Sequence, residues 1–561
     1  MKTKLDKFIF GTIIALLIVV MFIFINKKEG FHEDEIFSYG SSNYMYDNVY
    51  QQFGKSDSIN QFIGEKILDK NPIQMIKNFK YYYMDHTNEK DEYIKNLQDE
   101  ARPIWRSSQE AKEYVTIDKN DIFNYVMVYY NQSRDVHPPI FYFLVHTISI
   151  LFFGVFSKYI IFIINLAFFI ASCFVIKAIM KAIGKDYLSN IAVLFYGLSM
   201  GAISTVLFQR MYMTLTFFVL SYLLINIVIL KNNFEINRKT WIQLTLVTIF
   251  GFLTQYYFCI ICVVISTIMF IGIKRTKGSK EGIKFILNYI KIALLGIILF
   301  PSSIDDIFFS YRGIGTLYAQ TTFLTKLMQN ISLLSYSFSI PLILALIGLI
   351  AFIVIEFYRI VKEKIKPNIY FVLILIVPTI LYILIVSKIS PYIEYRDMIR
   401  YIMCIIPIVA ISIILLIDFV FKNKKYSFGF LILFTLLLST FGLLRSEPKY
   451  LFKGYSKYIE ISEKYKEDNF VFIGNTNFNQ IQNVPEFMNY NESLILNEKQ
   501  LDYLVNDETL KSKSEFILSI KKYLGDDTIL KEVLEKSGFS NYELLLDDNG
   551  DVGCIIYKIA R

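Results

Sequence analysis

The stretch Trp241–Ile273 reads WIQLTLVTIFGFLTQYYFCIICVVISTIMFIGI and is apolar over almost its whole length. Its 33 residues exceed the ~20 that an α-helix needs to cross a bilayer, so it forms either one long helix or two short ones. Lys and Arg cluster at both ends of the stretch, as they do in short cytoplasmic loops of membrane proteins. Both ends therefore lie in the cytoplasm, and we predict two crossings joined by a turn near Gln255-Tyr256-Tyr257.

Other apolar runs of similar length lie on both sides of this block and raise the predicted number of membrane-spanning helices to about eleven. The stretches that this topology places in the cytoplasm hold 21 Lys/Arg against five Asp/Glu, as the positive-inside rule requires. The amino terminus is then cytoplasmic and the carboxyl terminus extracytoplasmic. The other predicted spans are Phe8–Ile25, Tyr159–Ile176, Leu188–Leu207, Met211–Leu230, Phe285–Phe300, Ile340–Phe357, Tyr370–Ile385, Ile402–Phe421 and Phe428–Leu444.

The composition agrees with a chain divided between bilayer and water. Of 561 residues, 54% are hydrophobic and 19% charged, whereas globular proteins average about 45–50% and 25%. The net charge of +8 reflects the basic cytoplasmic loops, so we predict no nucleic-acid partner. Five cysteines, an odd number mostly within apolar runs, argue against a disulfide framework.

Two long segments have the composition of soluble protein. The first is an extracytoplasmic loop over residues 27–157, which belongs to a transmembrane domain predicted over residues 1–444. Its apolar end, Pro138–Phe153, is short for a span and is predicted to be an interfacial helix. The second, residues 445–561, mixes short β-type runs with a helical pattern, and Asp548-Asn549-Gly550 is a hairpin turn signal. The β-type runs are Asn469–Ile473, Ser493–Leu496 and Tyr542–Leu546, and the helical pattern lies around Ile529–Lys536. We predict a small extracytoplasmic C-terminal α/β domain there.

Acidic residues follow the first span directly, in Glu33-Asp34-Glu35. Neighbouring carboxylates at a membrane surface can raise the pKa of one member, as a general base requires. A solvated acidic loop or a helix N-cap explains the same residues, and composition alone favours that interpretation.

Charged residues at the predicted outer ends of helices form a second set of candidates. Asp135 and His137 precede two prolines that open the interfacial helix, which is also an ordinary helix start. Arg210 lies at one helix junction, and Arg400, followed by Tyr401, lies at another. A guanidinium there can hold a lipid phosphate, although snorkelling to headgroups is an equal alternative.

The order and placement of these residues resemble the membrane glycosyltransferase superfamily of fold type C, in particular bacterial relatives of the dolichyl-phosphate-mannose protein O-mannosyltransferases and the lipid A aminoarabinose transferases. The resemblance covers roughly residues 8–420. Each matching element is short, and the specificity lies in their order relative to the spans. The matching elements are Asp34-Glu35, Asp135-Val136-His137-Pro138-Pro139, Arg210-Met211-Tyr212 and Arg400-Tyr401.

The resemblance implies an integral membrane glycosyltransferase that moves a hexosyl or pentosyl group from a polyprenyl-phosphate donor to an acceptor hydroxyl at the outer face, with inversion. Asp34 would be the general base, and Glu35 would position the acceptor or the base. Arg210 and Arg400 would bind the donor phosphate with help from Tyr401.

Two further site residues, Asp135 and His137, would position the loop. Two departures from the family pattern limit what the resemblance implies for this chain. Many bacterial members have Thr-His-Tyr where this chain has Thr254-Gln255-Tyr256. The first loop is also longer than usual between Tyr50 and Asp121, and we expect this insert to contact the acceptor.

The expected partners are a lipid-linked sugar donor, an acceptor glycan, lipid or protein at the cell surface, and membrane lipids. The sequence has no P-loop and no Gly-x-Gly-x-x-Gly after a strand, which argues against a nucleotide donor. Asp34 and Glu35 offer oxygen ligands to a divalent metal but do not specify one, so we predict no required cofactor and no metal site. Lys-, Ile- and Asn-rich usage favours a bacterial plasma-membrane protein. A transporter or flippase for a lipid-linked glycan is the alternative function.

Overall fold

The computed structural model describes residues 2–45, 62–99, 103–309, 323–341, 372–390, 395–421, 423–474, 481–550 and 552–561. The predicted span Ile340–Phe357 therefore lies almost entirely outside the described residues. The α-helices of the first 231 residues are α1 (Lys2–Lys27), α2 (Glu33–Asn43), α3 (Pro72–Lys80), α4 (Thr87–Asp99), α5 (Ser108–Val115), α6 (Tyr125–Arg134), α7 (Ile140–Leu151), α8 (Lys158–Ala182), α9 (Ser189–Gly197), α10 (Met200–Leu207) and α11 (Tyr212–Lys231).

The remaining α-helices include further apolar ones and the short helices of the tail. They are α12 (Arg238–Phe252), α13 (Phe258–Lys277), α14 (Ser279–Leu299), α15 (Phe323–Phe338), α16 (Val377–Ile389), α17 (Tyr395–Ile402), α18 (Ile406–Val420), α19 (Lys424–Arg445), α20 (Ser456–Lys464), α21 (Val484–Phe487), α22 (Glu508–Lys511) and α23 (Asp526–Ser537).

Helices long and apolar enough to cross a membrane recur along the described residues. Seven meet this criterion, or eight if α9 and α10 count as one span bent by 60°. The bend lies where Ser199 caps α10, since its hydroxyl accepts a hydrogen bond from the Ala202 N–H at 3.1 Å. The chain is thus a polytopic α-helical protein, while eleven spans and their orientation stay predictions.

The apolar block Trp241–Ile273 folds as two helices. Helix α12 ends at Phe252 and α13 begins at Phe258, so the turn includes Gln255-Tyr256-Tyr257 and the predicted break is confirmed. The apolar end of the first loop forms α7, which at 12 residues is too short to cross a bilayer of ~30 Å.

The chain divides into two compact units. One consists of Met1–Ile25, Ser133–Phe141 and Phe162–Lys449, and holds the candidate spans apart from a few terminal residues. The other consists of Asn26–Gln132, Tyr142–Ile161 and Tyr450–Arg561. Most of the first loop therefore belongs with the tail, a grouping that the sequence did not predict.

The second unit contains one six-stranded sheet in the order β1-β3-β2-β4-β6-β5. Strand β2 is parallel to β3 and β4, and the other neighbours are antiparallel. On one face of the sheet, apolar side chains such as Leu518 and Ile555 pack against α23, which contributes Val533. The strands are β1 (Trp105–Ser107), β2 (Phe470–Gly474), β3 (Glu492–Asn497), β4 (Glu515–Lys521), β5 (Asn541–Asp547) and β6 (Cys554–Ala560).

This sheet confirms the predicted α/β character of the tail and the hairpin at Asp548-Asn549-Gly550, where the Asp548 carboxylate accepts the Gly550 N–H at 2.7 Å. Strand β4 was not predicted. Strand β1 comes from the first loop and pairs with β3, and the Trp105 indole N–H donates to Asp507 at 2.9 Å. The tail is therefore joined to the first loop through a shared sheet.

Candidate active site

Asp34 lies in the first turn of α2. The N-cap residue is His32, whose Nδ1 accepts the Asp34 N–H at 3.0 Å. The Asp34 side chain is 15% exposed, and its carboxylate lies 3.9 Å from the His32 ring nitrogen. A helix amino terminus favours a negative charge, and Asp34 occupies that position in the first turn of α2.

Glu35 completes the capping box and is fully buried. One carboxylate oxygen accepts the His32 N–H at 2.8 Å, and the two oxygens accept hydrogen bonds from Lys28 Nζ at 2.9 and 3.1 Å. The Lys28 and Glu35 side chains are both 0% exposed. These contacts direct Glu35 into the protein interior, where it fixes the turn that carries Asp34.

The tail of the same unit contacts the segment that leads to Asp34. Lys28 Nζ donates to the Tyr450 carbonyl at 2.7 Å, and Gln482 Nε2 donates to the Phe31 carbonyl at 3.0 Å. A Cβ added to Gly30 would lie 2.7 Å from Tyr455 Cγ, closer than real Cβ contacts. Residues 28–31 are therefore packed and hydrogen-bonded against the tail.

In the first unit, Arg210, His137 and Asp135 form a hydrogen-bonded chain. An Arg210 Nη2 lies 3.2 Å from His137 Nε2, and His137 Nδ1 lies 2.8 Å from the Asp135 carboxylate. A guanidinium is only a donor, so His137 Nε2 is the acceptor and the proton is assigned to Nδ1, which donates to Asp135. Arg210 is 3% exposed, and the His137 imidazole fixes the orientation of its guanidinium.

The backbone before Arg210 is fixed from within the first unit. Asn165 Nδ2 donates to the carbonyls of Val206 and Phe208 at 3.1 and 2.8 Å. These buried carbonyls lie at the end of α10, where carbonyls lack partners within the helix. The loop from α10 to α11 is thereby held in one conformation.

Arg400 lies against the same loop. Its guanidinium carbon is 5.4 Å from the centre of the Phe208 ring, a cation–π distance. Its Nη2 donates to Asp397 at 2.5 Å, and the residue is 4% exposed. Two buried arginines therefore lie beside Phe208. Arg210 belongs to the same loop, and Arg400 packs against the ring.

Tyr401 is buried beside Arg400. Its carbonyl accepts the Tyr382 hydroxyl at 2.7 Å, and its ring lies 5.1 Å from that of Tyr257. Tyr257 belongs to the turn between α12 and α13, so that turn contributes to the surroundings of Arg400.

Asp306 was missed by the sequence analysis. It follows α14 and accepts a hydrogen bond from the Tyr256 hydroxyl at 2.6 Å. Burial raises its pKa from 3.8 to about 7, the bond from Tyr256 opposes this increase, and the charge of Asp135 adds to it. Two adjacent acids, Asp305-Asp306, just beyond a predicted span were the available signal.

An apolar cavity of about 490 Å³ lies between α12, α13 and α14. Representative lining residues are Phe252, Val263 and Ile290. The segment that contains Asp306 also lines it, through Ile304 and Ile307. Its volume is typical of small-molecule sites, which range over about 300–1,000 Å³.

The predicted site residues thus fall into groups within each unit. Asp34 and Glu35 share the α2 turn, Asp135, His137 and Arg210 form one chain, and Arg400 and Tyr401 adjoin it through Phe208. Among the described residues, no group of three His, Cys, Asp or Glu could hold a metal ion.

Comparisons with known proteins give distant likenesses. No protein-family model and no curated protein matches the chain. ArnT from Cupriavidus metallidurans bound to undecaprenyl phosphate is 10% identical, with a TM-score of 0.45 over 98% of this chain and 97% of that chain. Its apo state is 11% identical, with a TM-score of 0.40 over 75% and 87%.

A third solved structure is an oligosaccharyltransferase from Archaeoglobus fulgidus tethered with an acceptor peptide. It is 8% identical, with a TM-score of 0.36 over 73% of this chain and 64% of that chain.

Proposed function

We propose that this chain is an integral membrane glycosyltransferase. It moves a sugar from a polyprenyl-phosphate donor to an acceptor hydroxyl at the outer face of the membrane, with inversion at the anomeric carbon. The transferred sugar is a hexosyl or pentosyl group, and the acceptor is a glycan, lipid or protein at the cell surface. The motif order of fold type C glycosyltransferases supports this class.

The observation that carries the proposal is the pair of buried arginines beside Phe208. Burying a guanidinium is costly unless it is compensated by partners, and the chain fixes both with Asp397, His137 and the Phe208 ring. Fixed cations of this kind match a phosphate that gains negative charge as it leaves. Arg210 and Arg400 would bind that phosphate.

The cavity between α12, α13 and α14 supports a lipid-linked donor. Its lining is almost wholly apolar, which suits an isoprenoid chain better than the charged phosphates of a nucleotide. Its lining includes Ile304 and Ile307, which flank Asp306, and the charge of Asp135 acts on Asp306. An apolar lipid chain would therefore end near the polar residues of the first unit.

Asp34 would act as the general base. It takes the proton from the acceptor hydroxyl, whose oxygen forms a bond to the anomeric carbon as the bond from that carbon to the phosphate oxygen breaks. The proton remains on Asp34, and the electron pair leaves with polyprenyl phosphate, stabilised by the two arginines. One such displacement inverts the anomeric configuration.

The other predicted site residues would position these groups. Glu35 holds the α2 turn through Lys28 and His32, which favours positioning of the base over contact with the acceptor. His137 and Asp135 would orient Arg210, and Tyr401 would help to enclose Arg400.

The proposal is tested with the purified full chain in lipid nanodiscs. Isotope-labelled polyprenyl-phosphate sugars are supplied as donors, with fractionated bacterial envelope as acceptor, and released polyprenyl phosphate and the anomeric configuration of the product are measured. We expect release that depends on the protein, with an inverted product. Failure with every donor, combined with gene-dependent export of a lipid-linked glycan, would favour the transporter instead.

A further inference from the structure

Helix α3, in the insert of the first loop, exposes apolar side chains. Ile73 and Ile76 are 65% and 71% exposed, and Phe79 is 50% exposed. Met84, in the turn that follows, is 71% exposed. Residues three and four apart lie on one side of a helix, so Ile73, Ile76 and the neighbouring Lys77 and Lys80 share one exposed surface.

The helix is well formed and is held from its other side. Asn71 caps it by accepting the Ile73 N–H at 2.9 Å. On the less exposed side, Gln74 donates to Asn78 at 2.8 Å, and Asn78 donates to the Ile67 carbonyl at 3.3 Å. The apolar side chains therefore point outward because the polar ones hold the helix to its own unit.

The charged residues of α3 itself are both basic. Lys77 and Lys80 are exposed and lie in the last turn of α3. Helix α3 contains no Asp or Glu, and the nearest acids in sequence, Asp69 and Asp85, lie outside it. Apolar side chains with adjacent lysines are typical of helices that lie in the interface of anionic membranes, where the lysine stems reach the lipid headgroups.

The exposed apolar surface continues toward α7. Lys70 Nζ donates to the Ile122 carbonyl at 2.7 Å, and the next residue, Phe123, is 65% exposed. The Tyr125 hydroxyl then meets Thr147 of α7 at 2.9 Å. Helix α7 is itself apolar and ends in an exposed Leu151. The segment Ile122–Tyr125 therefore links Lys70, just before α3, to a helix predicted to lie in the interface.

We propose that the docking face of α3, formed by Ile73, Ile76, Lys77, Phe79, Lys80 and Met84, lies on the bilayer and binds anionic phospholipid. Single exposed apolar residues are ordinary, but a cluster of them marks an interaction surface. The occupant is a lipid surface because the lysines match anionic headgroups and because the exposed Phe123 lies on the segment that links the start of α3 to α7. This inference does not depend on the glycosyltransferase proposal.

The test places a nitroxide label on the full chain in vesicles. Ile76→Cys carries the label on the docking face, and Glu543→Cys, exposed on β5, is the control. The native cysteines are free and mostly buried, and the unmodified chain measures their background. Collision of the label with oxygen and with a water-soluble nickel chelate reports its depth in vesicles of phosphatidylglycerol mixed with phosphatidylcholine.

We expect oxygen to dominate at position 76 and the nickel chelate at position 543. In the Lys77→Glu/Lys80→Glu background the inserted population should fall by about fivefold for each lysine removed, and vesicles of phosphatidylcholine alone should give a similar loss. Equal exposure to nickel at both positions would overturn the proposal. Protection of position 76 only after envelope acceptor is added would also overturn it, in favour of acceptor binding.

Discussion

His137 offers the sharpest test of how the arginine is held. Its Nε2 accepts from Arg210 at 3.2 Å and its Nδ1 donates to Asp135 at 2.8 Å. A hydrogen bond to a charged group contributes about 1.5–3 kcal/mol, which corresponds to roughly 10- to 150-fold in rate. We therefore predict that His137→Ala lowers kcat/KM for the polyprenyl-phosphate donor by about that factor.

Two variants at the same position separate the two contacts. His137→Gln places a carbonyl oxygen near the position of Nε2 and can still accept from Arg210. His137→Asn places an amide near Nδ1 and keeps only the contact with Asp135. If His137 acts by orienting Arg210, the Gln variant retains more activity than the Asn variant.

The assay is donor-dependent release of polyprenyl phosphate by the full chain in nanodiscs, with melting temperatures recorded to verify folding. A folded Ala variant with the kcat/KM of the wild type would show that His137 does not orient Arg210 for the reaction. An Asn variant more active than the Gln variant would show that the contact with Arg210 is not the one that matters.

Three further predictions follow from buried contacts. Breaking the Lys28–Glu35 pair through Glu35→Leu or Lys28→Met should cost about 3–5 kcal/mol. The Lys28→Met/Glu35→Leu double variant should melt above either single variant, and additive losses would contradict this. Folding favours the protonated form of Asp306, because its pKa is about 7 in the folded chain against 3.8 in the unfolded chain. The contribution of this group to the free energy of unfolding is complete below pH 3.8 and is lost as the pH rises to about 7. The melting temperature of the wild type should therefore decline over this pH range. The decline should be absent in Asp306→Asn and present in the Asp305→Asn control, and an unchanged decline in Asp306→Asn would contradict the prediction. Gly30→Ala should lower transfer by forcing a Cβ to within 2.7 Å of Tyr455, whereas Gly11→Ala, with nothing within 4 Å, should match the wild type; equal behaviour of the two would count against the tail contacts.

Much of the helical architecture could be predicted because spans leave a continuous signal. The basic residues around Trp241–Ile273 located the turn that the structure places between Phe252 and Phe258. The tail strands β2, β3 and β5 followed from apolar runs and a turn signal. These features depend on neighbouring residues in sequence, which is the information a single chain provides.

The missed features depend on contacts between distant residues. Strand β1 is three residues long and exists because it pairs with β3 from the tail. Lys28 is one of many lysines in the sequence, and only its burial with Glu35 distinguishes it. Asp306 gains its shifted pKa from burial and from Asp135, neither of which a sequence pattern reveals.

In the proposed reaction Asp34 removes the proton of the acceptor hydroxyl. Sugar transfer by the Asp34→Asn chain, which keeps the size of the side chain without its charge, is compared with transfer by Glu33→Gln, its neighbour in the same helical turn. We predict that Asp34→Asn abolishes transfer with an unchanged melting temperature, while Glu33→Gln stays active. Wild-type turnover by the Asp34→Asn protein would contradict it.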